Sequence, residues 1–202
     1  MPRPRTDIRP RILEAARERF AATGVDGSSL RGIATSAGTS IGMIYYYFPS
    51  KDELFFAVVD EVYGQLLTDL EAAIGQHQDF AGSVLALYRR IAGASALELQ
   101  VIRLVAREAF TSGERLQRLA RRFSRGHVPL IFKTIQQGVQ AGELRTDVHP
   151  IVLLAATIAL GTLPQIAIRT LGKHLPVKPP GSLELTSQLC EVLQHGVRAR
   201  KK

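Results

Sequence analysis

The sequence predicts an all-α fold, on three observations. Apolar residues recur at three- and four-residue spacing through almost the whole chain. Val, Ile and Thr nowhere alternate with polar residues over the length of a strand. Ser, Thr or Asp stands just ahead of most periodic stretches, and Gly or Pro just after, which is the capping chemistry of helices. The 202 residues are 46% hydrophobic and 22% charged, a globular composition long enough to bury a core without covalent staples. Cys190 is the only cysteine, which excludes a disulfide framework and a multi-cysteine metal site and suits a reducing compartment. The N-terminus, MPRPRTDIRPRILEAARERF, has no apolar signal core and reads as native structure.

The elements follow in order. Ile12, Ala15, Ala16 and Phe20 form the apolar stripe of a first helix, with Arg11, Glu14, Arg17 and Glu18 off it. Thr6 or Asp7 caps this helix, Pro10 falls near its first turn and Gly24 ends it. Ser28 and Ser29 cap a second, short helix over 30–37, closed by Gly38. Thr39 or Ser40 caps a third through Ile44 and Tyr45 to Tyr47, stopped by Pro49. Ser50 and Glu53 have capping-box spacing, and Asp52 and Glu53 suit the positive end of a long fourth helix running to about Gly75. Further helices are expected over 80–94, 97–110, 114–141 (broken or kinked at Pro129), 149–171 and 183–197. The Pro-rich KHLPVKPPGS is the one long connector.

The net charge is +8, and residues 1–51, with eight basic and four acidic residues, carry half of that excess. A dense positive charge favours polyanions through counterion release. Residues 28–51, SSLRGIATSAGTSIGMIYYYFPSK, are two short helices joined by a tight turn with a glycine at its hinge. Ile33, Ala34 and Ile44 can pack to set the interhelix angle while Ala37 and Gly38 keep the turn small. This is the helix-turn-helix plan, whose second helix enters a major groove about 12 Å wide. Ser29 and Arg31 then sit at a helix N-terminus suited to a phosphate. Thr39, Ser40, Ile41, Gly42 and Met43 lie nearest the base edges, Gly42 permitting close backbone approach. Tyr46 and Tyr47 reach phosphates from the groove wall, Tyr45 is partly buried or base-facing, and Lys51 is a phosphate point charge.

The stretch ILEAARERFAATGVDGSSLRGIATSAGTSIGMIYYYFPSKDELF, residues 12–55, closely resembles the TetR/AcrR family of bacterial one-component transcriptional regulators. The resemblance implies an all-α homodimer with an N-terminal three-helix DNA-binding domain (1–52) and a C-terminal helical domain (53–202) for effector binding and dimerisation. It implies double-stranded DNA as a partner, a small-molecule effector, and DNA contacts by the positions held here by Ser29, Arg31, Tyr45, Tyr46, Tyr47 and Lys51. The chain departs from the family at Gly32, where an acidic residue is frequent and glycine costs helix propensity. It departs also at Met43, where a small hydroxyl residue is commoner and an apolar thymine-methyl contact replaces a hydrogen bond.

Residues 150–168, PIVLLAATIALGTLPQIAI, hold no charge and approach the ~20 apolar residues that span a bilayer. Thr157, Thr162, Pro164 and Gln165 interrupt them, and there is no second span, so the expected role is to serve core and partner at once. With Leu183, Leu185, Leu189, Val192 and Leu193 of the last helix this segment is expected to form a four-helix dimer interface, with no membrane contact. In the helix at 97–110, Gln100, Arg103 and Arg107 form a polar stripe. Glu108 falls on the apolar side and needs a partner, either an arginine such as Arg122 or Arg125 or an effector. Tyr63, Leu67, Tyr88, Arg107, Glu108, Phe110 and Gln165 are the candidate effector residues. The arginines at 115, 118, 121, 122 and 125 read as a solvated face.

Enzyme chemistry finds no support in the residues. The five histidines have no paired-ligand spacing, and no nucleophile elbow, P-loop or dinucleotide fingerprint is present, so no cofactor and no metal are expected. Glu143, Asp147 and His149 read as a loop and a helix cap. The expected protein is a ligand-responsive regulator, by family habit a repressor, acting as a homodimer on a pseudo-palindromic operator in the bacterial cytoplasm, on the nucleoid. The alternative is a helical adaptor that binds only protein.

Overall fold

A computed structural model describes residues 8–109 and 113–197. Among the described residues the chain is carried by α1 (Ile8–Gly27), α2 (Leu30–Ser36), α3 (Ile41–Tyr47), α4 (Lys51–Gly75) and α5 (Phe80–Ala92), then α6 (Ala96–Ala109), α7 (Gly113–Phe123), α8 (His127–Gln140), α9 (Pro150–Leu171) and α10 (Ser182–Val197). A single 3₁₀ turn, Gly172–His174, follows α9. The all-α fold expected from the apolar spacing is the fold observed.

Most helix ends fall where their caps put them. α1 is interrupted at Gly24, whose φ of +78° belongs to the left-handed region that glycine enters freely. The expected caps of α1, Thr6 and Asp7, lie outside the described residues. The 114–141 stretch breaks earlier than Pro129 suggested. α7 ends at Phe123, a turn through Gly126 follows, and Pro129 sits in the first turn of α8, where its missing N–H has no helical acceptor to lose.

The described chain forms two compact units. One holds the residues up to Gly64 with Ser95–Ala120; the other holds Gln65–Ala94 with the chain from Arg121 onward. The first unit closes on Ile12, Phe20, Ile33, Ile44 and Phe55, all with no exposed surface, each adding about 1.5–3 kcal/mol by burial. Phe20 meets Phe55 edge-on, ring centroids 6.4 Å apart. α6 packs on α1 and adds Val101 and Leu104 to this core, so the unit is larger than the three-helix head alone. Arg17 pairs with Glu61 at 3.0 Å across it.

In the second unit α5, α8, α9 and α10 pack on one another. α9 buries one stripe at four-residue spacing, Leu153, Thr157, Gly161 and Gln165, and leaves Ile151, Val152 and Leu163 more than half exposed. The segment Pro150–His174 is long and apolar enough to cross a membrane by length and composition, but its buried stripe is a core stripe. On α10, Leu185 and Leu193 are buried in the chain's own core, which corrects their expected place in a dimer face. Leu183 and Val192 are the exposed ones. Arg169 donates to the carbonyls of Ala92 and Ala94, and Arg90 grips Asp69 through Nε (3.0 Å) and Nη2 (2.8 Å). Glu143, Asp147 and His149 go separate ways. Glu143 accepts from the Phe80 N–H, Asp147 pairs with Arg145, and His149 caps α9.

Candidate nucleic-acid interface

The head is built by caps and clamps. Ser29 Oγ accepts from the Gly32 N–H at 3.0 Å, Ser40 Oγ from Met43 at 3.3 Å, and Ser50 Oγ from Glu53 at 3.1 Å. Each such cap contributes about 1 kcal/mol, and α2 and α3, seven residues each, are too short to stand alone. Between α2 and α3 the chain turns at Gly38, φ +60°. Arg11 of α1 reaches this turn and donates to the carbonyls of Ala37 and Gly38. A second α1 arginine, Arg19, donates through Nε to Ser36 Oγ at 2.9 Å. Its guanidinium lies over Gly32, where a Cβ would come within 2.9 Å of Nη1. The glycine that looked like a lost helix former is therefore the space through which α1 holds α2.

With Ile44 buried inward, α3 turns its other side out. Ile41, Gly42, Tyr45 and Tyr46 are exposed, Tyr45 by 53% and Tyr46 by 76%, while Thr39, Met43 and Tyr47 are half-buried and Ser40 is exposed at the cap. Tyr45 thus stands on the open side. Tyr46 and Tyr47 meet edge-on at 5.0 Å, which limits the rotamers of the outer ring. Ser29 and Arg31 are exposed at the start of α2. Lys51 is half-buried, and its Nζ donates to the carbonyls of Asp26 (3.3 Å) and Ser28 (3.1 Å). An ammonium has three donors, so Lys51 fastens α4 to the loop before α2 and keeps one proton for an outer acceptor.

An ion cluster in the same unit is centred on the buried pair Arg115 and Glu108. Arg115 of α7 donates to Glu108 (2.6 Å), to Asp52 at the start of α4 (3.0 Å) and to Asp26 in the last turn of α1 (2.5 Å). Burial alone would lower its pKa, but the hydrogen bonds it donates to the three carboxylates outweigh that and raise it. Arg115 is buried, which corrects its expected place on a solvated face. Glu108, 1% exposed, has the ion-pair role that its position required, with Arg115 rather than Arg122 or Arg125 as partner. Spacing could not have named this partner. α6 and α7 are consecutive helices, and which side chain of α7 meets Glu108 depends on how the two helices pack.

The structure divides the candidate effector residues. Tyr63 is half-buried on α4, Arg107 lies against the Gly24 turn, and Glu108 is paired, all in the first unit. Leu67, Tyr88 and Gln165 belong to the second, the last two fully buried. Phe110 lies outside the described residues. No group of three or more His, Cys, Asp or Glu that could hold a metal occurs among the described residues.

Residues 12–58, which hold α2, α3 and most of α1, match the family described as bacterial regulatory proteins, tetR family. The head is a TetR-family head. This regulator is 28% identical over 157 residues to the fatty acid metabolism regulator protein of Bacillus subtilis, covering 75% of this chain and 77% of that one. It is 28% identical over 148 residues to the transcriptional repressor KstR2 of Rhodococcus jostii, covering 69% of each. Its fold superposes on the transcriptional regulator FadR of Bacillus subtilis, solved in complex with stearoyl-CoA, with a TM-score of 0.75 and 19% identity, over 94% of this chain and 99% of that one. The chain is a DNA-binding transcriptional regulator and not an enzyme.

Proposed function

We propose that this regulator reads duplex DNA with α3 of two twofold-related heads and leaves it when a small effector binds the second compact unit. The exposed, pre-clamped face of α3 carries the reading. Thr39, Ser40, Ile41, Gly42 and Met43 reach base edges, Met43 meeting a thymine methyl, while Ser29, Arg31, Tyr46, Tyr47 and Lys51 hold phosphates and Tyr45 faces the groove. A rigid reading head loses little entropy on docking, and here the rigidity comes from Arg11, Arg19 and Lys51.

The homodimer forms through the outer faces of α9 and α10. Ile151, Val152, Leu163, Leu183 and Val192 are exposed there, an apolar surface that a monomer has no reason to show. Two heads about 34 Å apart address successive major grooves of a pseudo-palindrome. An effector that binds the DNA-free shape better shifts the balance by about 1–3 kcal/mol, which makes the protein a derepressible repressor working on the nucleoid in the bacterial cytoplasm.

The test is fluorescence anisotropy with duplexes from the region flanking its own gene, over a salt series. A dimer with about eight phosphate contacts gives a log–log salt slope near −7. Tyr46→Ala weakens binding with no change in melting, and Lys51→Ala, which removes one phosphate contact from each of the two heads, makes the slope shallower by about 2. A flat salt dependence, or a strictly monomeric protein in sedimentation, overturns the proposal, and the former is what a protein-only adaptor would give.

A further inference from the structure

The second compact unit holds a polar group that its own chain leaves unsatisfied. Tyr88 of α5 is fully buried, and its hydroxyl makes no hydrogen bond with any described residue. Burial, with the Cys190 thiol adding to it, holds the phenol well above its ordinary pKa, so the hydroxyl keeps its proton and can donate. Phenylalanine would fill the same space without burying an unpaired hydroxyl. The Tyr88 ring lies on Gly161 of α9, where a Cβ would come within 2.6 Å of Cε1. Glycine is unfavourable inside a helix, and here its missing side chain makes room for the tyrosine. Three residues on, Pro164 has no N–H, so the Leu160 carbonyl cannot receive its helical bond. One turn of α9 thus combines a glycine, an interrupted backbone ladder and a facing buried hydroxyl.

The surroundings define what such a site can take. One turn back along both helices, Val84 and Thr157 line a narrow crevice with Ile74, Leu87, Ile131 and Thr134. One turn forward, Gln165 is buried and donates to Thr186 Oγ1 at 3.1 Å. Among the described residues every buried polar side chain of this unit is uncharged. Among the described residues the buried charged side chains are Glu108 and Arg115, and both belong to the other unit.

We infer that the Tyr88 hydroxyl is the polar anchor of an effector site running along α5 and α9, and that the effector is an uncharged, largely apolar molecule presenting a carbonyl-type acceptor. The inference rests on the effector-responsive reading above and names the ligand class of that site. A carboxylate or an ammonium there would give up its hydration with no opposite charge to meet. The crevice is too tight for a water molecule, so a ligand enters only by parting α5, α8 and α9. Ile74, in the last turn of α4, is one of the walls it must move.

The experiment uses the full chain and three probes that share one alkyl chain: methyl dodecanoate, dodecanoate and dodecyltrimethylammonium, titrated below their aggregation thresholds by calorimetry. The ester binds at least tenfold more tightly than either charged probe. Tyr88→Phe weakens the ester about fivefold and leaves the unliganded melting temperature unchanged or higher, whereas a merely structural tyrosine would show unchanged ester affinity. Equal or better binding of a charged probe, no binding of any of the three, or an unaffected Tyr88→Phe overturns the inference. The comparison of head groups needs only the unaltered protein, so it stands however the variant behaves. Salt-dependent duplex binding is measured on the same preparation. Its presence alongside failed probes overturns the site alone, and its absence overturns the regulator reading.

Discussion

Replacing Arg115 by methionine removes the cation that Glu108, Asp52 and Asp26 share. Glu108 is the partner that decides the outcome, because its side chain is 2% exposed and bonded to Arg115 at 2.6 Å. Asp52 and Asp26 are a third and nearly two-thirds exposed, so water can take over their solvation and they add little. Breaking a buried pair from one side leaves an uncompensated charge, which costs about 3–5 kcal/mol. Domains of this size are stable by about 5–15 kcal/mol, so the loss is a large share and lowers the melting temperature by roughly 10 °C. Urea unfolding at pH 7, followed by circular dichroism, measures it. Arg115→Met combined with Glu108→Leu should recover most of the loss, giving a coupling of at least about 2 kcal/mol in a double-mutant cycle. A single variant within about 1 kcal/mol of the parent, or a double variant equal to the sum of the two singles, would refute the assignment of Arg115 as the charge that makes Glu108 tolerable.

Three further outcomes are expected. Gly38→Ala places a side chain on a backbone at φ +60° and against Arg11; it costs about 1–2 kcal/mol in thermal melts and weakens DNA binding, because the α2–α3 turn loses its shape. Gly161→Ala drives a methyl into the Tyr88 ring and destabilises by about 1–3 kcal/mol, a loss that Tyr88→Leu in the same chain partly relieves. His127, largely withdrawn from water beside Phe123, has its pKa pulled down by burial from 6.5 to about 4. The folded state keeps the ring neutral while the unfolded state protonates it below pH 6.5, so this contribution is whole above that pH and is lost as pH falls toward 4. The slope is at most about 1.4 kcal/mol per pH unit. Urea midpoints between pH 7 and 5 should fall less for His127→Leu than for the parent, and parallel curves would contradict this reading.

Much of the head was legible in the residues. Ser29, Ser40 and Ser50 announced three helix starts, Gly24 and Gly38 two turns, and the structure puts a cap or a positive φ at each. These are local effects, set within four residues along the chain. The inward side of α3 was legible too, and Ile44 is buried as Ile33 and Ala34 of α2 are. The clamps were not. Arg11, Arg19 and Lys51 look like ordinary surface cations in a basic segment, and only their carbonyl and hydroxyl partners, 17 to 27 residues away, reveal that they brace the reading helix. Gly32 was misread for the same reason, since the group that occupies its missing side chain comes from another helix.

Periodicity and capping were enough for the all-α architecture, the helix-turn-helix and its open face, since hydrogen bonds and side chains within one or two turns settle them. Long-range pairing had to come from the fold. Arg115 became the partner of Glu108, Leu185 and Leu193 went to the core while Leu183 and Val192 stayed outside, and Tyr88 came to rest on Gly161. Each depends on which helix faces which, and at what rotation. Many helix packings satisfy the same apolar stripe, so the pattern of residues along one helix leaves that choice open until all the helices are packed together.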